Sequence, residues 1–314
     1  MAAALALSER GRGQTGPNPN VGCLLVKDGR IIARGWTQPG GRPHAEAVAL
    51  AQAGPAAQGA TAYVTLEPCA HQSTRGPSCA DSLIAAGVHR AVIALTDPDP
   101  RTNGAGISRL HAAGIAVEAG LLADAARRAM AGWLMQHQHG RPLVTLKLAT
   151  SLDGAIALGN GDSRWITGAA ARAHGHLERA RSGAILVGRG TLDADAPRLD
   201  VRIAGLDHRS PTRAVLTRGA APSGWMALAS PEAVQGLAGI QYLLVEGGAG
   251  AAAAFLKAGL VDRLLLYRAP ILIGGGRPCL GDIGLAQLAD AHDQWRPVDA
   301  RALGKDRLEL YERA

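Results

Sequence analysis

The chain has 314 residues, a formal charge of +7 and a hydrophobic fraction of 47%, which suits one large or two ordinary globular domains. Four cysteines are too few for a disulfide framework, no signal pattern opens the sequence, and no apolar run approaches the ~18 residues of a membrane span. The positive charge favours an anionic partner, but no block of like charges indicates a nucleic-acid binder. We therefore expect a basic cytoplasmic enzyme with reduced thiols and neither a membrane nor a nucleic-acid partner.

In the first half of the chain, predicted strands alternate with predicted helices, which indicates a layered α/β domain. Gly, Pro, Asn and Asp clusters separate these elements. The predicted strands cover residues 21–26, 31–35, 61–66, 90–95 and 115–118, and the predicted helices cover residues 2–10, 45–53, 79–86 and 107–113.

A helical connector over residues 121–135 follows, and Gly140-Arg141-Pro142 then breaks the chain. We place a domain boundary there, which predicts domains over residues 1–141 and 142–314. The second domain repeats the α/β pattern. Its predicted strands cover residues 143–148, 184–187, 212–216, 242–245 and 264–267, and its main predicted helices cover residues 168–181 and 249–258.

A split set of metal-ligand residues lies in the first half, at His44-Ala45-Glu46, Glu67-Pro68-Cys69 and Cys79. One imidazole and two thiolates suit a tetrahedral Zn²⁺ that keeps its fourth position for water. Each of the two cysteines lies at or near the start of a predicted helix, where the helix dipole stabilises a thiolate. An H-x-E motif followed by P-C, a spacer and C is the signature of zinc-dependent nucleobase deaminases.

The pattern predicts His44, Cys69 and Cys79 as zinc ligands. The metal lowers the pKa of its water towards ~7, and Glu46 is the predicted catalytic group that takes the proton and passes it to the leaving ammonia. The alternative is a closed structural zinc site, which needs four protein ligands, and His71 is the nearby candidate for the fourth.

Four segments of the first half occur together: P-N-P-N-V-G at residues 17–22, H-A-E at 44–46, T-L-E-P-C-A-H at 65–71 and T-D-P-D-P at 96–100. Their combination resembles the deaminase half of the bifunctional riboflavin-biosynthesis deaminase–reductases. The resemblance implies a cytidine-deaminase-like three-layer αβα domain. The spacer between Cys69 and Cys79 looks one residue longer than is usual in that family.

At matching positions, the resemblance implies that Asn18 and Asn20 bind the pyrimidine or ribose, and that His71 and Arg75 lie near the substrate. The longer spacer bears on the match of Arg75, a candidate phosphate contact, but not on the metal ligands. From the residues alone, the two asparagines are equally well explained as turn formers.

The second half carries five short motifs in order: K-x-x-x-S-x-D-G at residues 147–154, S-x-W-I-T at 163–167, V-G-x-x-T at 187–191, D-x-P-x-L at 195–199 and V-E-G-G at 245–248. Glycines at a strand-to-helix turn let backbone N–H groups approach a phosphate, although taken alone such a pair is better explained as a tight packing turn. Together the motifs resemble the reductase half of the same enzymes, an α/β domain similar to dihydrofolate reductase that uses NADPH.

The resemblance assigns roles in this half. A lysine can polarise a carbonyl or imine during hydride attack, so Lys147 is the candidate catalytic residue. Arg179 and Arg202 could also be solvated surface charges, and Trp165 could be a core residue. The implied substrate-binding residues are Lys147, Ser163, Arg179, Arg202 and Glu246, and the implied NADPH-binding residues are Ala149, Trp165, Thr191, Asp195 and the 248–254 segment, which begins Gly248, Ala249 and Gly250.

The segment between Arg202 and Glu246 is shorter than is usual in the family, and it should lie near the adenosine end of the cofactor. Arg218 stands where an aspartate is common. It is a candidate contact for a 2′-phosphate, which would favour NADPH over NADH. A weakened or lost reductase is the alternative consequence of the shorter segment.

We therefore expect a bifunctional enzyme that uses Zn²⁺ to deaminate a phosphorylated diaminopyrimidine and NADPH to reduce its ribosyl chain to ribityl. One alternative is a deaminase with a degenerate, non-catalytic second domain. Another is a tRNA- or DNA-editing deaminase, although single-strand binding favours aromatics, which make up only 3% of this chain. We also expect a homodimer or a higher homo-oligomer.

Overall fold

A five-stranded and an eight-stranded sheet organise the chain, one in each of the units Met1–His139 and Gly140–Ala314. The structure is a computed structural model, and it describes residues 1–71 and 76–314. Within these ranges, no helix has both the length and the apolar character needed to cross a membrane.

The first unit alternates helices and strands as the sequence predicts. Its elements are α1 (Ala2–Ser8), β1 (Gly22–Lys27), β2 (Arg30–Trp36), α2 (Ala45–Ala53), β3 (Thr61–Val64), α3 (Cys79–Ala85), β4 (Arg90–Ile93), α4 (Ala105–Ala112), β5 (Ala116–Ala119), α5 (Ala123–Ala129) and α6 (Ala131–His139). The sheet order is β2-β1-β3-β4-β5, with β1 antiparallel to both neighbours and the β3-β4 and β4-β5 pairs parallel.

Strand β1 shows how this sheet is covered on both faces. Successive side chains of a strand point to opposite faces. Cys23 and Leu25 belong to the main apolar cluster, which includes residues of α2, α3 and α4, whereas Leu24 packs with Ala4 and Leu7 of α1. Helices therefore cover both faces, which confirms the three-layer αβα arrangement.

The predicted connector over residues 121–135 was wrong in one respect, because it forms two helices rather than one. Helix α5 ends at Ala129 and α6 begins at Ala131. Met130 lies at the break with a φ of −105° and is fully buried, and Trp133 is buried one turn later. Met130 and Trp133 thus place two large side chains in the apolar core of the first unit.

The second unit contains the remaining elements. They are β6 (Leu143–Thr150), β7 (Ala155–Ala157), α7 (Ala169–Ala180), β8 (Ala184–Gly188), α8 (Arg189–Asp195), β9 (Thr212–Leu216), β10 (Met226–Leu228), β11 (Tyr242–Val245), α9 (Ala249–Lys257), β12 (Arg263–Arg268), β13 (Arg277–Pro278), β14 (Trp295–Leu303) and β15 (Asp306–Arg313). The large sheet has the order β10-β9-β8-β11-β6-β12-β15-β14, and β7 pairs with β13.

The order of the central strands determines where a ligand can bind. Strands β9, β8, β11, β6 and β12 are mutually parallel neighbours, so their carboxyl ends lie along one edge of the sheet. Ligands of open α/β sheets bind outside these ends. The motifs at residues 147–154, 187–191 and 245–248 all lie at such ends, and the sheet brings them together.

Candidate active sites

Three potential metal ligands converge in the first unit. The ligand atoms of His44, Cys69 and Cys79 all lie within 4.8 Å of one another. The His44 Nδ1 atom is 3.2 Å from the Cys79 Sγ atom and 3.7 Å from the Cys69 Sγ atom. Zinc bonds of ~2.3 Å to sulfur and ~2.0 Å to nitrogen at a tetrahedral angle predict a separation of about 3.6 Å. The residues therefore fit Zn²⁺ closely.

Local folding explains this convergence. His44 is the residue before α2, and Cys79 is the first residue of α3. Cys69 follows β3, and the backbone N–H of Cys79 donates to its sulfur at 3.3 Å. A second hydrogen bond joins the side chains of the two cysteines. It lowers the pKa of Cys69 to about 4 against the effect of burial, and it raises the pKa of Cys79. A cation bound by both sulfurs would release the remaining proton.

The cluster leaves a coordination position open. Among the described residues it contains three protein ligands, and His71 is not one of them. The His71 Nδ1 atom instead lies 3.5 Å from the hydroxyl of Thr102. A closed structural site needs four protein ligands, so the arrangement favours a catalytic site over the structural alternative.

Glu46 lies beside this cluster as the second residue of α2, and it is 3% exposed. Burial raises the pKa of its carboxyl group to about 7, although the nearby His44 opposes the increase. A group with a pKa near neutrality can accept a proton and return it in the same reaction. The ability to exchange a proton near neutral pH is what the predicted role of Glu46 as proton carrier needs.

A cavity of about 230 Å³ opens next to the cluster, and Asn18, His44, Glu46, Cys69 and His71 are among its lining residues. The amide nitrogen of Asn18 donates to the Gly41 carbonyl at 2.8 Å and lies 3.4 Å from the His44 Nε2 atom. Asn18 and His71 thus both line the cavity beside the metal-ligand cluster. Arg75 lies outside the described residues.

The structure corrects the expectation that Asn20 binds the substrate, because its side chain does not reach the cavity. It is fully buried, and its amide nitrogen donates to the carbonyls of Ser8 and Ala129 at 3.3 and 3.1 Å. Asn20 therefore connects α1 to the end of α5. The turn formed by alternating prolines and asparagines points Asn18 into the cavity and Asn20 away from it.

The cavity is also lined by residues to which the sequence interpretation assigned no role, among them Asp97, Asp99, Arg101, Trp133 and His137. The first three follow β4, whose neighbour β3 leads to Cys69, so the carboxyl ends of two adjacent parallel strands bring them together. The rings of Trp133 and His137 stack at 5.5 Å on α6. Two features of the sequence could have indicated these residues: the rigid loop after a predicted strand, and the four-residue spacing of the two rings.

Glu67 explains how the loop after β4 is held. Its buried carboxylate accepts four backbone N–H groups, from Asp97 at 3.1 Å, Gly104 at 3.0 Å, Gly106 at 2.9 Å and Ile107 at 3.1 Å. The residue before α4 is Gly104, which has no side chain to cap the helix. Glu67 therefore caps α4 from the segment that carries Cys69.

Two cavities meet in the second unit, one of about 890 Å³ and one of about 500 Å³. Lys147, Ala149, Ile156, Ser163 and Glu246 line both of them. All five residues implied for substrate line the smaller cavity: Lys147, Ser163, Arg179, Arg202 and Glu246. Most of those implied for NADPH line the larger one: Ala149, Thr191, Asp195, Gly248, Ala249 and Gly250.

A buried ion-pair cluster lies where the cavities meet. Glu246 accepts two hydrogen bonds of 2.8 Å from Arg179, and the Lys147 ammonium lies 3.7 Å from the same carboxylate. Burial alone would raise the pKa of Glu246, but Lys147 and Arg179 more than offset it and hold the pKa at about 2. The carboxylate is therefore charged, and it positions both cations.

The glycine turn after β11 fits a phosphate group. Gly248 precedes α9, and its N–H donates to the Thr191 hydroxyl at 3.0 Å. A Cβ atom on Gly247 would lie 2.5 Å from the Cβ atom of Ala251, so a side chain there would force the turn open. The first N–H groups of a helix have no intrahelical partner, and those of Ala249 and Gly250 lie at the cavity, where they suit a dinucleotide pyrophosphate.

The positions of Trp165 and Arg218 differ from expectation. Trp165 lines the smaller cavity rather than the larger one, and it is 66% exposed with the Arg172 guanidinium 4.7 Å from its ring centre. Arg218 is exposed just beyond β9, and it is absent from the described lining of the larger cavity. The short segment after Arg202 nevertheless forms β9 and β10, and Leu216 at the end of β9 lines the larger cavity.

Comparisons with known proteins agree with both sites. Residues 142–308 match the model of the RibD C-terminal domain, and residues 1–95 match the cytidine and deoxycytidylate deaminase zinc-binding region. The riboflavin biosynthesis protein RibD of Escherichia coli is 41% identical over 98% of this chain and 96% of its own length. That of Mycobacterium tuberculosis is 39% identical over 98% and 95%.

Solved structures extend the similarity to the fold. Acinetobacter baumannii RibD is 38% identical with a TM-score of 0.88, covering 100% of this chain and 97% of its own. A Thermotoga maritima protein named diaminohydroxyphosphoribosylaminopyrimidine deaminase/5-amino-6-(5-phosphoribosylamino)uracil reductase is 30% identical with a TM-score of 0.90 and the same coverage. The chain therefore belongs to the RibD family of riboflavin-biosynthesis proteins, and it is a bifunctional enzyme with a deaminase and a reductase domain.

Proposed function

We propose that residues 1–141 hydrolyse the 2-amino group of 2,5-diamino-6-ribosylamino-4(3H)-pyrimidinone 5′-phosphate, and that residues 142–314 reduce the ribosyl chain of the product to ribityl with NADPH. The observation that carries the first step is the buried Glu46 beside an open three-ligand cluster. The second step is supported by the two cavities that meet at Lys147 and Glu246.

In the deamination, His44, Cys69 and Cys79 would hold the metal, which when bound would make a water molecule acidic near neutral pH. Glu46 would accept a proton from that water and deliver it to the departing amino group, which would leave as ammonia. Asn18 and His71 line the cavity where the pyrimidine would lie. The side-chain amide and imidazole can hydrogen-bond a heterocycle there.

In the reduction, the residues that line the larger cavity would hold NADPH, which would supply a hydride for the sugar carbon. Lys147 lies at the junction of the cavities, where its ammonium can polarise the carbonyl or imine that accepts this hydride. Glu246 and Arg179 hold Lys147 in place through the buried cluster. Arg202 lines the substrate cavity and is half exposed, so its planar guanidinium can bind the sugar phosphate.

We also propose a cytoplasmic location and a homo-oligomeric state. The four cysteines are free thiols, which suits a reducing compartment. The oligomer stays a prediction, and light scattering of the purified protein tests it.

Mass spectrometry of the products tests the proposed function. The zinc-loaded enzyme should convert the diaminopyrimidine ribotide to the deaminated ribosyl compound without NADPH, and to the deaminated ribityl compound with it. Deaminated ribosyl product under both conditions would contradict the reductase assignment, and no turnover in either would contradict both.

A further inference from the structure

The larger cavity of the second unit runs along four adjacent parallel strands. Lys147 lines it from β6, Glu246 from the end of β11, Gly188 from the end of β8 and Leu216 from the end of β9. Three strand spacings of ~4.8 Å give a run of about 14 Å. This is the length scale of an extended dinucleotide.

The direction of a bound dinucleotide follows from the two ends of this run. At β6 the cavity meets the substrate cavity through Lys147 and Ser163, so the hydride-donating ring must lie there. The glycine turn after β11 suits the pyrophosphate in the middle. The adenosine therefore lies at the far end, beside β8 and β9.

Arg189 is the cation at this far end. It follows β8 directly, and its Nε and Nη2 groups donate to the Thr217 hydroxyl at 3.3 Å, while Nη2 also donates to the Ala220 carbonyl. These contacts hold the guanidinium against the segment after β9. Its Nη1 group contacts Asp193 at 3.5 Å in an exposed pair, and such a pair contributes little.

Other cations are less suitable. Of the described residues that line the larger cavity, Lys147 and Arg277 are the remaining cations, and both lie at the opposite end. Lys147 is paired with Glu246. Arg277 is on β13, which pairs with β7 just after β6. Arg218, our initial candidate, lies outside the described cavity lining.

We propose that Arg189 binds the 2′-phosphate of NADPH and makes the reductase select NADPH over NADH. A phosphate dianion accepts charge-assisted hydrogen bonds from a guanidinium, and the Nη1 group of Arg189 would donate to it in place of Asp193. The inference rests on the proposed reductase function.

Equilibrium binding of NADP⁺ and NAD⁺, measured by calorimetry on the full chain, tests this proposal. The two ligands differ only in the 2′-phosphate. The unaltered protein should prefer NADP⁺, and Arg189→Ala should weaken NADP⁺ binding by about 10- to 100-fold, the usual effect of one charged hydrogen-bond partner. NAD⁺ binding should change less than about threefold, and Arg189→Lys should give an intermediate preference.

Arg218→Ala is the matched control, because it removes an exposed arginine two residues beyond β9 that is absent from the described cavity lining, and it should retain the NADP⁺ preference. A preserved preference in Arg189→Ala would overturn the proposal. Equal weakening of both ligands would also overturn it, because it would mean that Arg189 only supports the segment after β9. If the unaltered protein bound neither ligand, the reductase function itself would fail.

Discussion

Two buried glutamates show how neighbouring charges decide the state of a carboxyl group. Burial raises the pKa of Glu46 to about 7. Glu246 is also buried, yet Lys147 and Arg179 reverse the effect of burial and lower its pKa to about 2. The first group can exchange a proton near neutral pH, whereas the second remains a fixed charge. Their environments thus match the roles of proton carrier and positioning residue.

Glu46→Gln should separate metal binding from proton transfer. The amide keeps the size of the side chain but cannot accept the proton, so deamination should fall by at least ~10²-fold. Zinc content, measured by elemental analysis, should equal that of the unaltered protein. Reduction of separately supplied deaminated ribotide should be unaffected. Substantial remaining deamination would rule out the proposed role of Glu46.

The charged state of Glu246 predicts a pH dependence of stability. Its folded pKa of about 2 lies below the ~4.3 of an unfolded glutamate, so ionisation stabilises the fold by about 3 kcal/mol above the unfolded pKa. This contribution is lost as the pH falls from ~4.3 through 2. Urea unfolding at several pH values should show a steeper loss for the unaltered protein than for Glu246→Gln. Parallel profiles would contradict the assignment.

At the scale of elements, Glu67 connects the segment that carries Cys69 to the loop after β4 and to the start of α4. Its four accepted N–H groups come from residues 97–107. Because Asp97 and Asp99 line the deaminase cavity, this carboxylate fixes one cavity wall relative to a metal ligand.

Glu67→Gln should loosen that wall. The amide nitrogen would face two N–H donors, and each buried unsatisfied donor costs about 1–3 kcal/mol. We expect a lower free energy of unfolding, faster hydrogen exchange at Asp97 and Gly104, and a raised KM for deamination. The control Glu118→Gln removes a half-exposed carboxylate on β5 and should change none of these. Unchanged exchange in Glu67→Gln would show that the wall does not depend on the carboxylate.

Much of the fold could be predicted, because most strands carry apolar runs between turn residues. Helix α2 and strands β9 and β11 have the predicted bounds. Strand β14 was missed because nearly all of its residues are exposed, so no apolar face marks it. Strand β15 carries a detectable apolar alternation at Leu308 and Leu310. Helix α8 buries no residue and therefore leaves no apolar signal in the sequence.

The sites were predictable to the extent that chemistry needs a particular residue type. Zinc binding requires the imidazole and thiolates of His44, Cys69 and Cys79, so their types and their motif spacing predicted them. Asn20 was misassigned because side-chain direction in an irregular turn depends on the tertiary packing of α1 and α5. The cavity position of Arg189 likewise depends on the order of strands in the sheet, which sequence periodicity does not contain.

For the whole molecule, the central feature is that the two sites lie in different units. The metal cluster lies within Met1–His139, and both large cavities lie within Gly140–Ala314. The similarity to RibD proteins covers both units, which favours two activities over the editing-deaminase and deaminase-only alternatives. A variant altered in one site should therefore keep the other activity.

The most direct test combines two inactive variants, Glu46→Gln and Lys147→Met, with the diaminopyrimidine ribotide and NADPH. Mass spectrometry should detect no conversion by Glu46→Gln and only the deaminated ribosyl compound from Lys147→Met. A mixture of the two proteins should form the deaminated ribityl product, because each supplies the step that the other lacks. Ribityl product from Lys147→Met alone, or none from the mixture, would contradict the assignment of two independent sites.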